Sequence, residues 1–252
     1  MASPRPYLLR KRVNAATGLK VECIGIDPQG DNHGTRIGQP EPIAQVPQFG
    51  VDPDLYAPRP TTARSARTAL VIGYAGRFVP EKGVDTLLLA AARTPDVNLR
   101  LIGSGPERRL YEHLIATEGL SGRVQIEPPR SSTTMPAFYG ELDVLVLPSR
   151  TRPNWKEQFG RVVIEAMSCG VPVVVSDSGE PQHLIAADSD PPIGLRFPED
   201  DVEALAAHLV RLRDDRELLA RLSAAARRRA QSVFSMQGIA EATAQFYSQL
   251  VG

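Results

Sequence analysis

From residue 69 to residue 176 the chain alternates short apolar runs with longer amphipathic stretches, and this alternation constrains its fold more than any other feature. Strand-type runs occupy 69–75, 97–102, 124–126, 143–147 and 171–176, and helical stretches fill 84–93, 107–118, 134–141 and 162–168. Continuous apolar runs bounded by Gly and Pro, with a helix between each pair, imply βαβ units. Such units build a parallel sheet buried on both faces. The expected fold is therefore α/β, a Rossmann-like doubly wound parallel sheet with helices on both faces. Residues 202–251 are rich in Ala and Leu and read as two or three helices capping that domain.

Before residue 69 the pattern is lost. Apolar residues there are scattered among Pro, Gly and charge, as in Asp27-Pro28-Gln29-Gly30-Asp31, and only 19–26 looks strand-like. Residues 1–45 read as an irregular N-terminal segment and 46–68, Pro-rich over 53–60, as an inter-domain turn and linker. Residues 69–252 carry the domain proper. The basic cluster Arg10-Lys11-Arg12 reads as a solvated, poorly ordered end. Arg227-Arg228-Arg229 reads as a solvated helix face.

Lys and Arg number 29, as do Asp and Glu, so no global charge calls for a nucleic-acid partner. No apolar run approaches the roughly 20 residues that cross a bilayer, which leaves membrane association peripheral at most. Two distant cysteines, Cys23 and Cys169, fit a reducing, cytoplasmic setting and give no metal spacing.

In a doubly wound sheet, ligands bind beyond the carboxyl ends of the strands, so the loops after 75, 102, 147 and 176 carry the chemistry. The first reads Gly76-Arg77-Phe78-Val79-Pro80-Glu81-Lys82-Gly83. A glycine leaving a strand lets backbone approach a ligand. Arg77 and Lys82 beside a helix N-terminus suit a diphosphate. From this loop alone, two surface cations with Lys82 solvated is an equal reading. The second loop, Gly103-Ser104-Gly105-Pro106, has Arg108 where a dinucleotide fingerprint needs its third glycine and lacks a P-loop lysine. A tight strand-to-helix turn explains it as well as a ligand does.

The third loop runs Glu157-Gln158-Phe159-Gly160-Arg161 into a helix containing Glu165. A carboxylate inside an apolar helical run is costly without partners, and the paired hydroxyls of a ribose are suitable ones. The amides at Phe159 and Gly160 are free first-turn donors for a phosphate. The alternative puts Glu165 on the solvent face. In the fourth segment Cys169 reads as a buried packing residue, and His183 as an exposed helical one.

In this order, Gly76-Arg77 with Lys82-Gly83, Glu157-x-Phe159-Gly160 with Glu165-Ala166-Met167, and Gly170-x-Pro172-Val173 resemble the C-terminal half of the retaining glycosyltransferases of family 4, which have the GT-B fold. The likeness runs from about residue 46, where Pro47-Gln48-Phe49-Gly50-Val51-Asp52 looks like that family's turn between its two domains. The resemblance implies that Arg77 and Lys82 hold the donor diphosphate and that Glu157 contacts the donor sugar. It further implies that Gly76, Gly103, Gly105, Gln158, Phe159 and Gly160 line the donor site, and that Glu165 takes the ribose hydroxyls. The expected reaction moves a sugar from a nucleotide-diphosphate sugar to an acceptor with retention of anomeric configuration. No cofactor or metal is expected, since cations and helix ends neutralise the leaving diphosphate.

The family's acceptor-binding domain is not legible in residues 1–45, so a partner chain supplying it is expected. Glu180-Pro181-Gln182-His183 looks shortened against the family's pattern. Two other readings stay open: a truncated, non-catalytic nucleotide-sugar-binding module, and a sugar-nucleotide epimerase.

Overall fold

The computed structural model describes backbone at residues 7–14, 18–25 and 44–45, and then residues 47, 49–58, 69–185 and 192–251, with side chains as far as 248. Six strands form the central parallel sheet: β4 (Leu70–Ala75), β5 (Val97–Ile102), β6 (Val124–Glu127), β7 (Val144–Leu147), β8 (Val173–Ser176) and β9 (Leu195–Phe197). Their order is β6-β5-β4-β7-β8-β9. The sheet thus grows outward from β4 in one direction, then restarts beside β4 with β7 and grows in the other. Right-handed crossovers place the two runs of helices on opposite faces.

The strand sequences explain the arrangement. Every residue of β4, Leu-Val-Ile-Gly-Tyr-Ala, is buried, as are all four of β7 and of β8. Only a strand covered on both faces needs apolar side chains pointing both ways. Each fully buried Leu, Val or Phe contributes about 2 kcal/mol by leaving water, and the central strands concentrate that gain. Helix α1 (Val84–Ala92) packs on α6 (Val202–Asp214) and on α2 (Arg108–Thr117). Beyond the restart, α4 (Arg161–Ser168) packs on α3 (Met135–Gly140), α5 (Pro181–Leu184) and the long α7 (Arg216–Val233). Asp201 and Asp215 start α6 and α7, their carboxylates accepting from the amides of Ala204 and Leu218 at 2.8 Å each. Helix α8 (Met236–Val251) ends the described chain.

Three expectations need correction. Residues 1–45 are not wholly irregular: β1 (Tyr7–Asn14) and β2 (Gly18–Gly25) pair antiparallel, and β3 (Ala44–Gln45) joins β1 on its other edge. The cluster Arg10-Lys11-Arg12 therefore has strand backbone, with Arg10 opposite Glu22 in register.

Residues 51–58 are not a loose linker but a strap fastened to the domain. Val51 donates to the Phe234 carbonyl at 2.8 Å and accepts from the Met236 amide at 3.0 Å. Tyr56 is buried, and its hydroxyl donates to the Ser132 carbonyl at 3.0 Å. Residues 59–68, the rest of that expected linker, lie outside the described residues.

Arg227 and Arg229 are likewise only partly solvated. Arg227 donates to backbone oxygens of Tyr56, Pro53 and Ser168, and Arg229 to that of Leu184 at 2.6 Å. Arg228 alone of the three is exposed. Apolar periodicity marks the face a helix buries, but it cannot reveal that a guanidinium spans that face to reach carbonyls.

Candidate functional site: a cleft at the switch point of the sheet

The restart between β4 and β7 leaves a crevice at the carboxyl ends of the strands, where a doubly wound sheet places its ligand. A cleft of about 390 Å³ opens there, lined by Gly76, Arg77, Gly103, Ser104, Pro129, Arg130, Met135, Arg161 and Glu165 among others. Four of the expected site residues thus come together: Gly76, Arg77, Gly103 and Glu165.

Glu165 sits on the buried side of α4, not on its solvent face. The Tyr139 hydroxyl donates to its Oε2 at 2.7 Å, and Arg161 stands 3.7 Å from its Oε1. Burial raises its pKa from the ordinary carboxylate value, and the Tyr139 phenol and the Arg161 guanidinium pull the other way. The outcome is a half-satisfied acceptor facing a cavity. Arg77, by contrast, has a side chain 67% exposed, 3.7 Å from Glu81 across the turn, and is free to swing onto an anion.

The two glycine-bearing loops hold each other. Phe78 donates to the Ser104 carbonyl at 2.8 Å, and Glu107 to the Phe78 carbonyl at 3.0 Å. A Cβ on Gly103 would stand 1.9 Å from the Gly76 oxygen, and one on Gly105 2.2 Å from the Phe78 oxygen. The structure thus gives Gly105 a packing task and does not put it on the cleft wall. Gly103 has both roles.

Lys82 and Glu157, neither of them on the cleft wall, meet as an ion pair, 14% and 10% exposed in their side chains. The Ser149 hydroxyl donates to the same Glu157 oxygen at 2.8 Å, and the Ser176 hydroxyl in turn holds the Ser149 carbonyl. On the backbone side, Glu180 donates to the Glu157 carbonyl at 3.0 Å. Gly179 adopts φ +66°, and a Cβ there would stand 2.1 Å from that oxygen. Lys82 is therefore not the solvated surface cation that its loop alone allowed. Its Nζ also lies 5.0 Å from the centre of the Trp155 ring.

The remaining expected contacts divide. Gly160 turns the chain into α4 as its N-cap with φ 72°, and no side chain caps that end; the Val163 amide donates to the Gly160 carbonyl at 2.8 Å, which leaves the amides of Arg161 and Val162 for a ligand. The Phe159 ring points away, buried edge-on against Phe49 at 5.2 Å and Phe234 at 6.4 Å. Gln158 is exposed and is not on the cleft wall. Cys169 is buried and His183 is exposed, as read from the sequence.

Sequence reasoning missed Arg130, Arg161, Ser149 and Tyr139. Arg161 had a signal, since it follows Gly160 at the first position of a helix already suspected of holding an anion. Arg130 follows β6, whose loop the sequence singled out for nothing.

A doubly wound parallel sheet with a cleft and a buried carboxylate at its switch point defines a Rossmann-like α/β domain. The family model described as "Glycosyl transferases group 1" matches residues 62–229, and the chain belongs to that family. It is 34% identical over 215 residues to an MMP alpha-(1->4)-mannosyltransferase of Mycolicibacterium hassiacum, covering 84% of this chain and 49% of that one. It is 32% identical over 237 residues to a D-inositol 3-phosphate glycosyltransferase of Streptomyces bingchenggensis, covering 81% and 50%.

Among solved structures it resembles sucrose-phosphate synthase of Thermosynechococcus elongatus, with a TM-score of 0.69 at 31% identity over 80% of this chain and 51% of that one. HepE of Anabaena in complex with UDP superposes with a TM-score of 0.69 at 25% identity, over 79% and 56%. The domain is one Rossmann-like half of the GT-B fold, and the chain spans about half the length of the relatives it matches. Among the described residues, no helix is long and apolar enough to cross a membrane.

Proposed function

We propose that this domain binds the nucleotide-diphosphate sugar of a retaining glycosyltransferase and transfers the sugar together with an acceptor-binding half. The observation that carries the reading is one carboxylate facing a cavity, Glu165, with a lysine–glutamate pair at the neighbouring loop, Lys82 with Glu157. Glu165 accepts from the ribose hydroxyls while Tyr139 occupies its second oxygen. Arg77 and Lys82, with the open first-turn amides of α4, take the diphosphate. Glu157 accepts from hydroxyls of the donor sugar.

In transfer, the bond from the anomeric carbon to the diphosphate oxygen breaks as the acceptor oxygen bonds to that carbon from the same face. The acceptor's proton leaves with the diphosphate. The cations and the helix end neutralise the departing charge, so no metal is required. HepE of Anabaena has been solved with UDP and with UDP-glucose, which supports a nucleotide sugar as the ligand here. The family assignment leaves the epimerase reading without support. An acceptor-binding half, on the same polypeptide or on a partner chain, completes the site, and a reducing cytoplasm suits the buried Cys169.

Calorimetric titration of the chain with UDP, GDP and ADP, then with the matching nucleosides, tests the reading. One diphosphate should bind, with affinity unchanged by EDTA. Glu165→Ala should weaken nucleoside and diphosphate alike, whereas Arg77→Ala should weaken only the diphosphate. Each loss of a charged hydrogen bond should cost about ten- to a hundred-fold. Equal affinity of the parent for nucleoside and diphosphate would sink the assignment.

A further inference from the structure

Between Ser149 and Glu157 the chain makes an excursion whose purpose the donor site alone does not explain. Its base is clasped from two sides. Arg150 donates to Asp85 at 2.7 Å and Thr86 at 2.8 Å, and it also pairs with Asp200. The Thr151 amide donates to Glu199 at 2.6 Å. Its tip is a closed turn, with the Arg152 amide donating to the Trp155 carbonyl at 2.7 Å and the Trp155 amide to the Arg152 carbonyl at 3.0 Å. All this order brings one large side chain to one place: the Trp155 ring, 5.0 Å from the Lys82 ammonium, which also pairs with Glu157.

A lysine has four rotatable bonds and a compact charge, so it reaches an anion only after losing considerable freedom. The face of an indole attracts an ammonium without competing for its hydrogen bonds. Glu157 does compete, because its carboxylate pairs with the ammonium. When a diphosphate arrives, the ammonium must turn from the carboxylate to the phosphate, and the indole can hold it through both states.

We propose that Trp155 is a positioning residue that keeps the Lys82 ammonium aimed at the donor diphosphate while Glu157 is released to the sugar. This rests on the donor-site reading above. It adds a specific function to the clasped excursion and assigns the indole a role through Lys82, not by contact with the ligand.

Trp155 is the only tryptophan in the chain, so its fluorescence reports on this contact directly. Lys82→Met should change the emission intensity of the ligand-free protein, since it removes the charge from the ring. Unchanged emission would overturn the contact without any ligand being needed. Calorimetry on the full chain then separates the two ideas, with UDP, GDP and ADP against their nucleosides.

Trp155→Leu should weaken the diphosphate about tenfold, within the range of cation–aromatic attraction, and leave the nucleoside as it was. Trp155→Phe should recover most of the loss. A merely structural role would weaken both ligands together and lower the melting temperature. Diphosphate affinity in Trp155→Leu equal to the parent's refutes the positioning role and leaves the donor site standing. A parent that binds none of the diphosphates refutes the donor site itself.

Discussion

At the scale of single residues, the carboxylates were legible as types and not as environments. Glu165 stood out because a charge inside an apolar helical run needs partners, and the structure supplies Tyr139 and Arg161. No sequence pattern links residue 139 to residue 165, since only the packing of α3 on α4 brings them together. The same burial sets a cost. The folded state raises the pKa of Glu165, so it binds that proton more tightly than the unfolded chain does. The stability this group contributes is present below the ordinary carboxylate pKa and is lost as pH rises through the raised value. Glu165→Gln keeps an acceptor for Tyr139 and removes the charge. It should therefore raise the melting temperature at neutral pH, change it little in acid, and weaken nucleoside binding. Thermal denaturation at both pH values, paired with titration of the nucleoside, checks all three.

At the scale of elements, the long apolar runs were legible and the short ones were not. The buried strands β4, β7 and β8 announce themselves by composition. Edge strand β9, three residues long with Arg196 at its centre, and the four-residue α5 carry too few positions to show a period. The strap at 51–58 was misread for a different reason. Proline and glycine mark where chain turns, and they are silent on what it then leans against. The tie is Arg227 of α7, which reaches three backbone carbonyls at 53, 56 and 168 and so joins strap, α7 and the end of α4. Arg227→Ala leaves those oxygens without their charged donor and should cost about 2 kcal/mol. Arg227→Lys should recover little of that, because a single ammonium cannot span the same three acceptors. Urea denaturation of the two variants decides it. Equal stability of Arg227→Lys and the parent would show that charge alone suffices.

At the scale of the whole molecule, equal numbers of acidic and basic residues leave no net charge to draw an anionic ligand in. On the proposed donor reading, recognition falls to the site itself, where the Lys82–Glu157 pair sets its terms. Within the pair each charge answers the other. Inorganic pyrophosphate alone would take the ammonium and strand a buried carboxylate, whereas a free hexose would satisfy the carboxylate and strand the ammonium. A ligand carrying both groups releases both charges in one event. On that reading the pair would act as a coincidence detector that stays shut to either half-signal. Pyrophosphate and a free hexose should each bind weakly and each strengthen the other by the same factor, as linkage requires. Titrating one in the presence of the other measures that factor, and a value of one would mean the two charges are read separately. A cell is full of loose phosphates and loose sugars, and a site built this way can ignore both until they arrive joined.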